Sequence, residues 1–272
     1  MSIGPLVSAS WLIEHAEDPG VRIVDSRFTL ADPLAGERGY LAGHIPGAAF
    51  MDLKRDLSSP PGGAAGGRHP LPDPERFAVS ARRAGISSGT TVVAYDERGE
   101  GGAARLWWLL RHHGHERVAV LDGALGAWTA AGGELALGPE EISPGDFEAS
   151  ADRAGDTAEA EEIGRRLEDA SLTLIDARAP ERFRGESEPI DPVAGHIPGA
   201  QNVPFAELVP AGAMPSPEDI QARLPDSGEL VAYCGSGVTA CVLVLAAEVA
   251  GRRARLYPGS WSEWSSRGLP AA

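Results

Sequence analysis

The sequence predicts an α/β chain of two tandem domains, each a parallel sheet with helices on both faces. Three observations predict it. The chain has 272 residues, more than one typical domain and enough for two that each bury a core. Blocks of sequence recur in the same order with a period of about half the chain. Within each half, short apolar runs alternate with longer runs of helix formers, as in a parallel sheet wrapped by helices.

The repeat begins with Ile23-Val24-Asp25-Ser26-Arg27, matched by Leu174-Ile175-Asp176-Ala177-Arg178. Gly43-His44-Ile45-Pro46-Gly47-Ala48 is matched by Gly195-His196-Ile197-Pro198-Gly199-Ala200. Val93-Ala94-Tyr95-Asp96 is matched by Val231-Ala232-Tyr233-Cys234, and Asp122-Gly123 to Trp128 by Pro258-Gly259 to Trp264. The chain reads as a duplication of one fold. Its N-terminal domain is expected over residues 8–136, a linker over 137–157 and the C-terminal domain over 158–272.

Val21–Asp25 and Leu172–Asp176 are short apolar runs ending in a polar residue, the signature of buried parallel strands. Thr91–Tyr95 and Leu230–Tyr233 read the same way. Ala103–His112 and Val238–Ala250 are longer and rich in helix formers. Val118–Leu121 and Ala254–Tyr257 add a further strand to each copy. The Asp-x-Arg pairs occur in both copies and read as structural ion pairs. Gly138–Ser150 is polar with Pro and Gly and reads as the connection. Ser58–Pro74, rich in Gly and Pro, is assigned no chemistry.

Acidic residues outnumber basic ones 39 to 24, a formal charge of −15. Such a surface repels phosphate backbones, so nucleic acid is not an expected partner. The N-terminus lacks a basic segment followed by an apolar core, and no run of 18 apolar residues occurs, so neither a signal peptide nor a membrane span is expected. Cys234 and Cys241 lie seven positions apart across a loop and helix, too far for a disulfide. A reducing compartment, the cytoplasm, is expected. Arg111-His112-His113-Gly114-His115 reads as a helix end, with Gly114 capping and charged His near the negative terminus, and no metal or other cofactor is expected. Cys241, Trp107, Trp108, Trp128, Trp261 and Trp264 read as packing residues.

The chemistry concentrates in Tyr233-Cys234-Gly235-Ser236-Gly237-Val238-Thr239-Ala240, which follows a predicted strand and opens a predicted helix. Ligands of open α/β sheets bind at the carboxyl ends of strands. The two glycines let the backbone curl into an anion-binding nest, and the helix adds its positive end. A cysteine in that field is expected to be largely thiolate and nucleophilic. The first copy supplies a contrast: Asp96 stands where Cys234 stands, and a carboxylate cannot do thiolate chemistry.

The repeated Gly-His-Ile-Pro-Gly-Ala block, the Cys-Gly-Ser-Gly-Val-Thr loop and the Gly-Ser-Trp-Ser-Glu-Trp ending resemble the tandem rhodanese family of thiosulfate and 3-mercaptopyruvate sulfurtransferases. The resemblance runs from about Trp11 to Leu269. It implies two rhodanese-like domains, the C-terminal one active and the N-terminal one inactive with Asp at the loop. It implies that Cys234 takes the outer sulfur of a small-molecule donor, becomes a persulfide and passes the sulfur to cyanide or to a thiol such as thioredoxin or a small thiol. A related phosphatase loop has Arg where Ala240 stands, and without that guanidinium phosphoryl transfer loses its charge clamp.

Small uncharged residues after the cysteine, here Gly235 and Ser236, resemble the mercaptopyruvate enzymes, which favours 3-mercaptopyruvate over thiosulfate. Ser236 is a candidate to orient the substrate or to stabilise the leaving group through its hydroxyl, beside the loop residues Gly235, Gly237, Val238 and Thr239; the resemblance assigns Arg182 to the substrate anion, against the competing reading of a surface salt bridge. A second carboxylate-binding Arg, common after Glu-Pro in those enzymes, is replaced by Ile190, which leaves thiosulfate open. His44 with Asp32 is a further candidate pair. The competing reading of His44 and His196 is that each fixes its turn, since both copies carry one. An alternative to an enzyme is a sulfur-relay interaction protein, loaded and unloaded by partner proteins; a tandem architecture favours the enzyme, because small-molecule sites commonly form at domain interfaces.

Overall fold

The computed structural model describes residues 3–62, 66–150, 153–226 and 228–272. Positions 63–65 of the Gly- and Pro-rich stretch, 151–152 of the expected linker and the first two residues of the N-terminal stretch lie outside the described residues. The chain forms two compact units. One comprises Met1–Ser59, Pro72–Arg153 and Ala211–Ala213, the other Pro60–Leu71, Ala154–Pro210 and Met214–Ala272.

The first unit holds five parallel strands: β1 (Leu6–Val7), β2 (Val21–Asp25), β3 (Ala49–Phe50), β4 (Thr91–Tyr95) and β5 (Val118–Leu121). Their spatial order is β1-β5-β4-β2-β3. All five residues of the central β4 are buried, which is why its sequence after Thr91 runs apolar instead of alternating. Helices cover both faces. Ser8 caps Ala9–His15 by accepting from the Trp11 amide, and Asp73 caps Pro74–Arg83 by accepting from Arg76, with Pro74 in the first turn where no amide partner is needed.

The helix Gly102–His112 ends as the sequence predicts, with Gly114 at φ +91°. The histidines around that end are not at the solvent surface, however. His112, His113 and His115 are buried, with His112 stacked on Trp108 at 4.5 Å and His113 tilted against Phe77 at 5.2 Å. Burial pushes His115 below its ordinary value. Among the described residues no group of three or more His, Cys, Asp or Glu is arranged to hold a metal, and no helix is long and apolar enough to cross a membrane.

The stretch after 138 packs onto the first unit. Amides of Gly145, Phe147 and Ser150 donate to carbonyls of Arg82, Ile86 and His113, and the Phe147 ring is buried.

The second unit holds four parallel strands: β6 (Leu172–Asp176), β7 (Gln201–Asn202), β8 (Glu229–Tyr233) and β9 (Ala254–Leu256), in the order β7-β6-β8-β9. The place of β1 is taken by a single parallel bridge between Thr157 and Leu256. The helix after β8 runs Ala240–Val249, two residues later than expected, and is buried from Ala240 to Ala247.

The two copies share one internal joint. Arg27 pairs with Asp25 at 2.6 Å and donates to the Gly43 carbonyl at 2.6 Å. Arg178 pairs with Asp176 at 2.7 Å and donates to the Gly195 carbonyl at 2.7 Å. The hydroxyls of Tyr95 and Tyr233 accept from the Ile45 and Ile197 amides, each at 3.2 Å. Each joint ties the end of one strand to the Gly-His-Ile-Pro-Gly turn. Within that turn His44 meets the Tyr40 carbonyl through Nδ1 and stacks on the Tyr40 ring, and His196 does the same with Phe183.

Removing one member of a buried ion pair leaves the other uncompensated, at a cost of about 3–5 kcal/mol. Arg178→Ala should lower stability by about that amount in urea denaturation. Arg184→Ala, which breaks only the exposed pair with Glu186, should leave the transition where it is.

Candidate active site

Strand β8 delivers its chain into a tight turn at Cys234, whose side chain is buried. The turn closes through Gly237, at φ +76°, where a Cβ would collide with the Pro258 carbonyl; only glycine fits. The Gly237 amide donates to Cys234 Sγ at 3.1 Å. Cys241 is enclosed in the following helix, its Sγ 3.4 Å from the Gly237 carbonyl, and neither cysteine is in a disulfide.

The helix Ser260–Ser266 holds the turn from behind. Trp261 and Ser262 amides donate to the carbonyls of Cys234 and Gly235, each at 3.0 Å. Ser260 Oγ accepts from the Cys234 amide at 3.1 Å and donates to the Tyr257 carbonyl at 2.9 Å. Ser260 adopts φ +53°, and its counterpart in the first copy, Ala124, adopts φ +55°. A left-handed conformation is unfavourable for both residue types, so the fold imposes it at the same place twice.

Ser236 is also buried, and its hydroxyl lies 2.9 Å from His69 Nδ1. His69 belongs to the stretch assigned no chemistry in the sequence, as does Arg68. The structure packs Pro60–Leu71 into the second unit, where these two residues face the turn. An Arg-His pair within a run of Gly, Pro and Ala was the one signal available.

Arg182 lies on the short helix Pro180–Phe183. Its guanidinium meets Glu188 at 2.7 and 3.1 Å and Asp191 at 3.3 Å, and Arg68 pairs with the other oxygen of Asp191. A methyl group built on Gly235 would stand 2.9 Å from Arg68 Nη2 and 3.4 Å from Arg182 Nη1. Two cations therefore flank the residue after Cys234, although the loop itself carries none. Ile190 is exposed and adds no charge.

The expected pair of His44 and Asp32 is not formed. His44 is fully buried in the first unit, with Nε2 3.3 Å from Glu140 and Nδ1 on the Tyr40 carbonyl. Asp32 is partly exposed, accepts from the Leu34 amide and pairs with Arg38. Both ring nitrogens of His44 are used in fixing its turn.

The matching loop of the first unit is filled by its own side chain. The Asp96 carboxylate accepts from the amides of Gly99 at 2.6 Å, Gly101 at 3.1 Å and Ala103 at 3.2 Å. The loop geometry thus collects several N–H groups on one anion.

A rhodanese-like domain matches residues 8–131 and again 159–267. A Pseudomonas aeruginosa protein named a probable 3-mercaptopyruvate sulfurtransferase is 46% identical over 273 residues, 97% of this chain and 96% of its own. The Mycobacterium tuberculosis protein SseB, provisionally named a thiosulfate sulfurtransferase, is 44% identical over 262 residues, 93% of this chain and 90% of its own. Among solved structures, the 3-mercaptopyruvate sulfotransferase SseA of Escherichia coli superposes with a TM-score of 0.83 at 35% identity, over 96% of this chain and all of that one.

Burial, with the Glu100 charge added, pushes the Asp96 carboxyl up to about 6 against the pull of its three amides. Its folded form holds a proton that the unfolded chain has released by about pH 4, so its stability contribution is full below pH 4 and is lost as pH rises through 6. Carboxyl NMR should show Asp96 titrating near pH 6. Relative to Asp96→Asn, the wild type should lose about 3 kcal/mol between pH 4 and 7; a midpoint below 4.5 would contradict this.

Proposed function

We propose a donor and a set of residue roles from one premise: the chain belongs to the rhodanese-like domain family. It is a sulfurtransferase. The observation that carries the roles is a buried thiol at a strand-to-helix turn, with an amide on its sulfur and two guanidinium groups beside the next residue.

Cys234 is the nucleophile. Its thiolate attacks the terminal sulfur of the donor. With 3-mercaptopyruvate the C–S bond breaks, its electron pair goes to the methylene carbon, the thiol proton follows, and pyruvate leaves. With thiosulfate the S–S bond breaks and sulfite leaves with the pair. Either way Cys234 holds a persulfide anion, received by the amides of the Gly235, Ser236, Gly237, Val238 and Thr239 turn. Cyanide or a thiolate then attacks the outer sulfur, the S–S bond breaks, and the Cys234 thiolate returns as thiocyanate or an acceptor persulfide departs.

Arg182 binds the donor anion, and Ser236, in contact with His69, orients the donor and its leaving group. The N-terminal domain, residues 8–136, supplies no nucleophile, since Asp96 fills its loop. The preferred donor is 3-mercaptopyruvate, a preference supported by the names of the relatives. The acceptor is cyanide in the test tube and a thiol, such as thioredoxin or a small thiol, in the reducing cytoplasm, where two unbridged thiols persist.

Cys234→Ser should abolish thiocyanate formation with either donor; residual activity above a tenth of wild type would sink the assignment of the nucleophile. Iodoacetamide at pH 6 should modify Cys234 before the enclosed Cys241, read by mass spectrometry.

The wild type should show a higher kcat/KM for 3-mercaptopyruvate than for thiosulfate. Arg182→Ala should raise KM for 3-mercaptopyruvate roughly tenfold to a hundredfold, the worth of one charge-assisted contact. Unchanged mercaptopyruvate kinetics would remove Arg182 from the donor site and leave the sulfurtransferase activity standing.

A further inference from the structure

We propose that Arg68 is a second anion-binding residue of the donor site and governs how well the enzyme takes a compact dianionic donor. The inference rests on the roles of Cys234 and Arg182 given above. It supplies from a remote stretch of sequence the cation that Ile190 does not.

Arg68 is fastened to the catalytic turn on both sides. Its amide donates to Ser262 Oγ at 3.1 Å, and the Ser262 amide donates to the Gly235 carbonyl at 3.0 Å. The next residue, His69, meets the Ser236 hydroxyl. Gly67, at φ +69°, lets this strand of chain lie directly against Gly259 and Ser262, where a side chain would collide with both. The backbone of Arg68 is therefore held in register with Gly235 and Ser236.

Its guanidinium is held as well. Asp191 accepts from Arg68 Nη1 through one oxygen and from Arg182 Nη2 through the other. That shared carboxylate sets the two planar groups side by side and leaves one nitrogen of each above Gly235. Arg68 Nη2 has no hydrogen-bond partner among the described residues, and it is 2.9 Å from the Cβ position of Gly235. Arg182 Nη1 is 3.4 Å from the same point. Two N–H donors on separate cations, converging one residue from the nucleophile, match the oxygens of a single anionic group.

This geometry distinguishes the donors. Thiosulfate carries two negative charges on oxygens one bond from the sulfur under attack, so its charge must sit where the turn begins. The single carboxylate of 3-mercaptopyruvate lies farther from its sulfur and reaches Arg182 first. Loss of Arg68 should therefore weaken thiosulfate more.

The experiment is steady-state kinetics with cyanide as acceptor for both donors, on wild type, Arg68→Gln and Arg68→Lys. Arg68→Gln should raise KM for thiosulfate roughly tenfold to a hundredfold and KM for 3-mercaptopyruvate by a smaller factor, with kcat changed less than KM. Arg68→Lys, which keeps the charge without the fork, should fall between Arg68→Gln and wild type. Labelling of Cys234 by neutral iodoacetamide reports an intact turn, and if Arg68→Gln loses it the test rests on Arg68→Lys. KM values for both donors within twofold of wild type in every intact variant overturn the proposal. So does an equal fall in kcat for both donors at constant KM, which marks a residue that only shapes the turn. A wild type that turns over neither donor instead overturns the roles of Cys234 and Arg182.

Discussion

The turns after β4 and β8 direct backbone N–H donors at the side chain of the residue that follows the strand. In the first copy the acceptor is the Asp96 carboxylate, held by three amides, and in the second it is Cys234 Sγ, held by the Gly237 amide. Everything around the turn serves its curvature. Glycine at 237 admits the approach of Pro258, a left-handed residue opens the helix behind, and amides of that helix take the outward carbonyls of the turn. An anion at this place satisfies donors that would otherwise be buried without partners. The first copy answers that need with a side chain of its own. In the second the place is held by the Cys234 thiol.

The duplicated scaffold keeps the turn rigid. Each Asp-x-Arg pair lies beneath its sheet edge with a carbonyl of the Gly-His-Ile-Pro-Gly turn as third partner. Such pairs contribute little net stability, because both charges lose water, yet losing one partner is costly. They act as joints that allow one arrangement. Both joints reach a further acid, Arg27 meeting Glu97 at 3.0 Å and Arg178 meeting Glu188 at 3.3 Å; Arg178 also lies over the Trp261 ring at 4.8 Å, and through Glu188 its pair is continuous with the carboxylates that hold Arg182 and Arg68. Every guanidinium group in this cluster is paired with a carboxylate, so the cations are held in place by Asp176, Glu188 and Asp191.

Most of the architecture was legible in the chain itself. Apolar runs of buried parallel strands differ sharply from helical runs, so β2, β4, β5 and β6 carry the expected boundaries. The tight turn at Cys234 was legible because a strand running straight into two closely spaced glycines marks a sharp bend. The buried state of His112, His113 and His115 was not, because a helix end reads alike whether solvent or aromatic rings lie beyond it. The roles of His44 and His196 were open for a similar reason: a histidine in a turn shows its partners only in space.

The sequence by itself determined the duplication, the sheet type and the contrast of Asp96 with Cys234 at matching places, because each is written in local pattern or in the comparison of one half with the other. Tertiary structure alone decided which side chains surround Cys234. Arg68 and His69 come from a stretch whose Gly and Pro content describes only an irregular path, and the place of such a path is set by where its backbone finds partners, here Ser262, and its side chains theirs, here Asp191 and Ser236. Those contacts join residues more than a hundred positions apart, and no local preference encodes them.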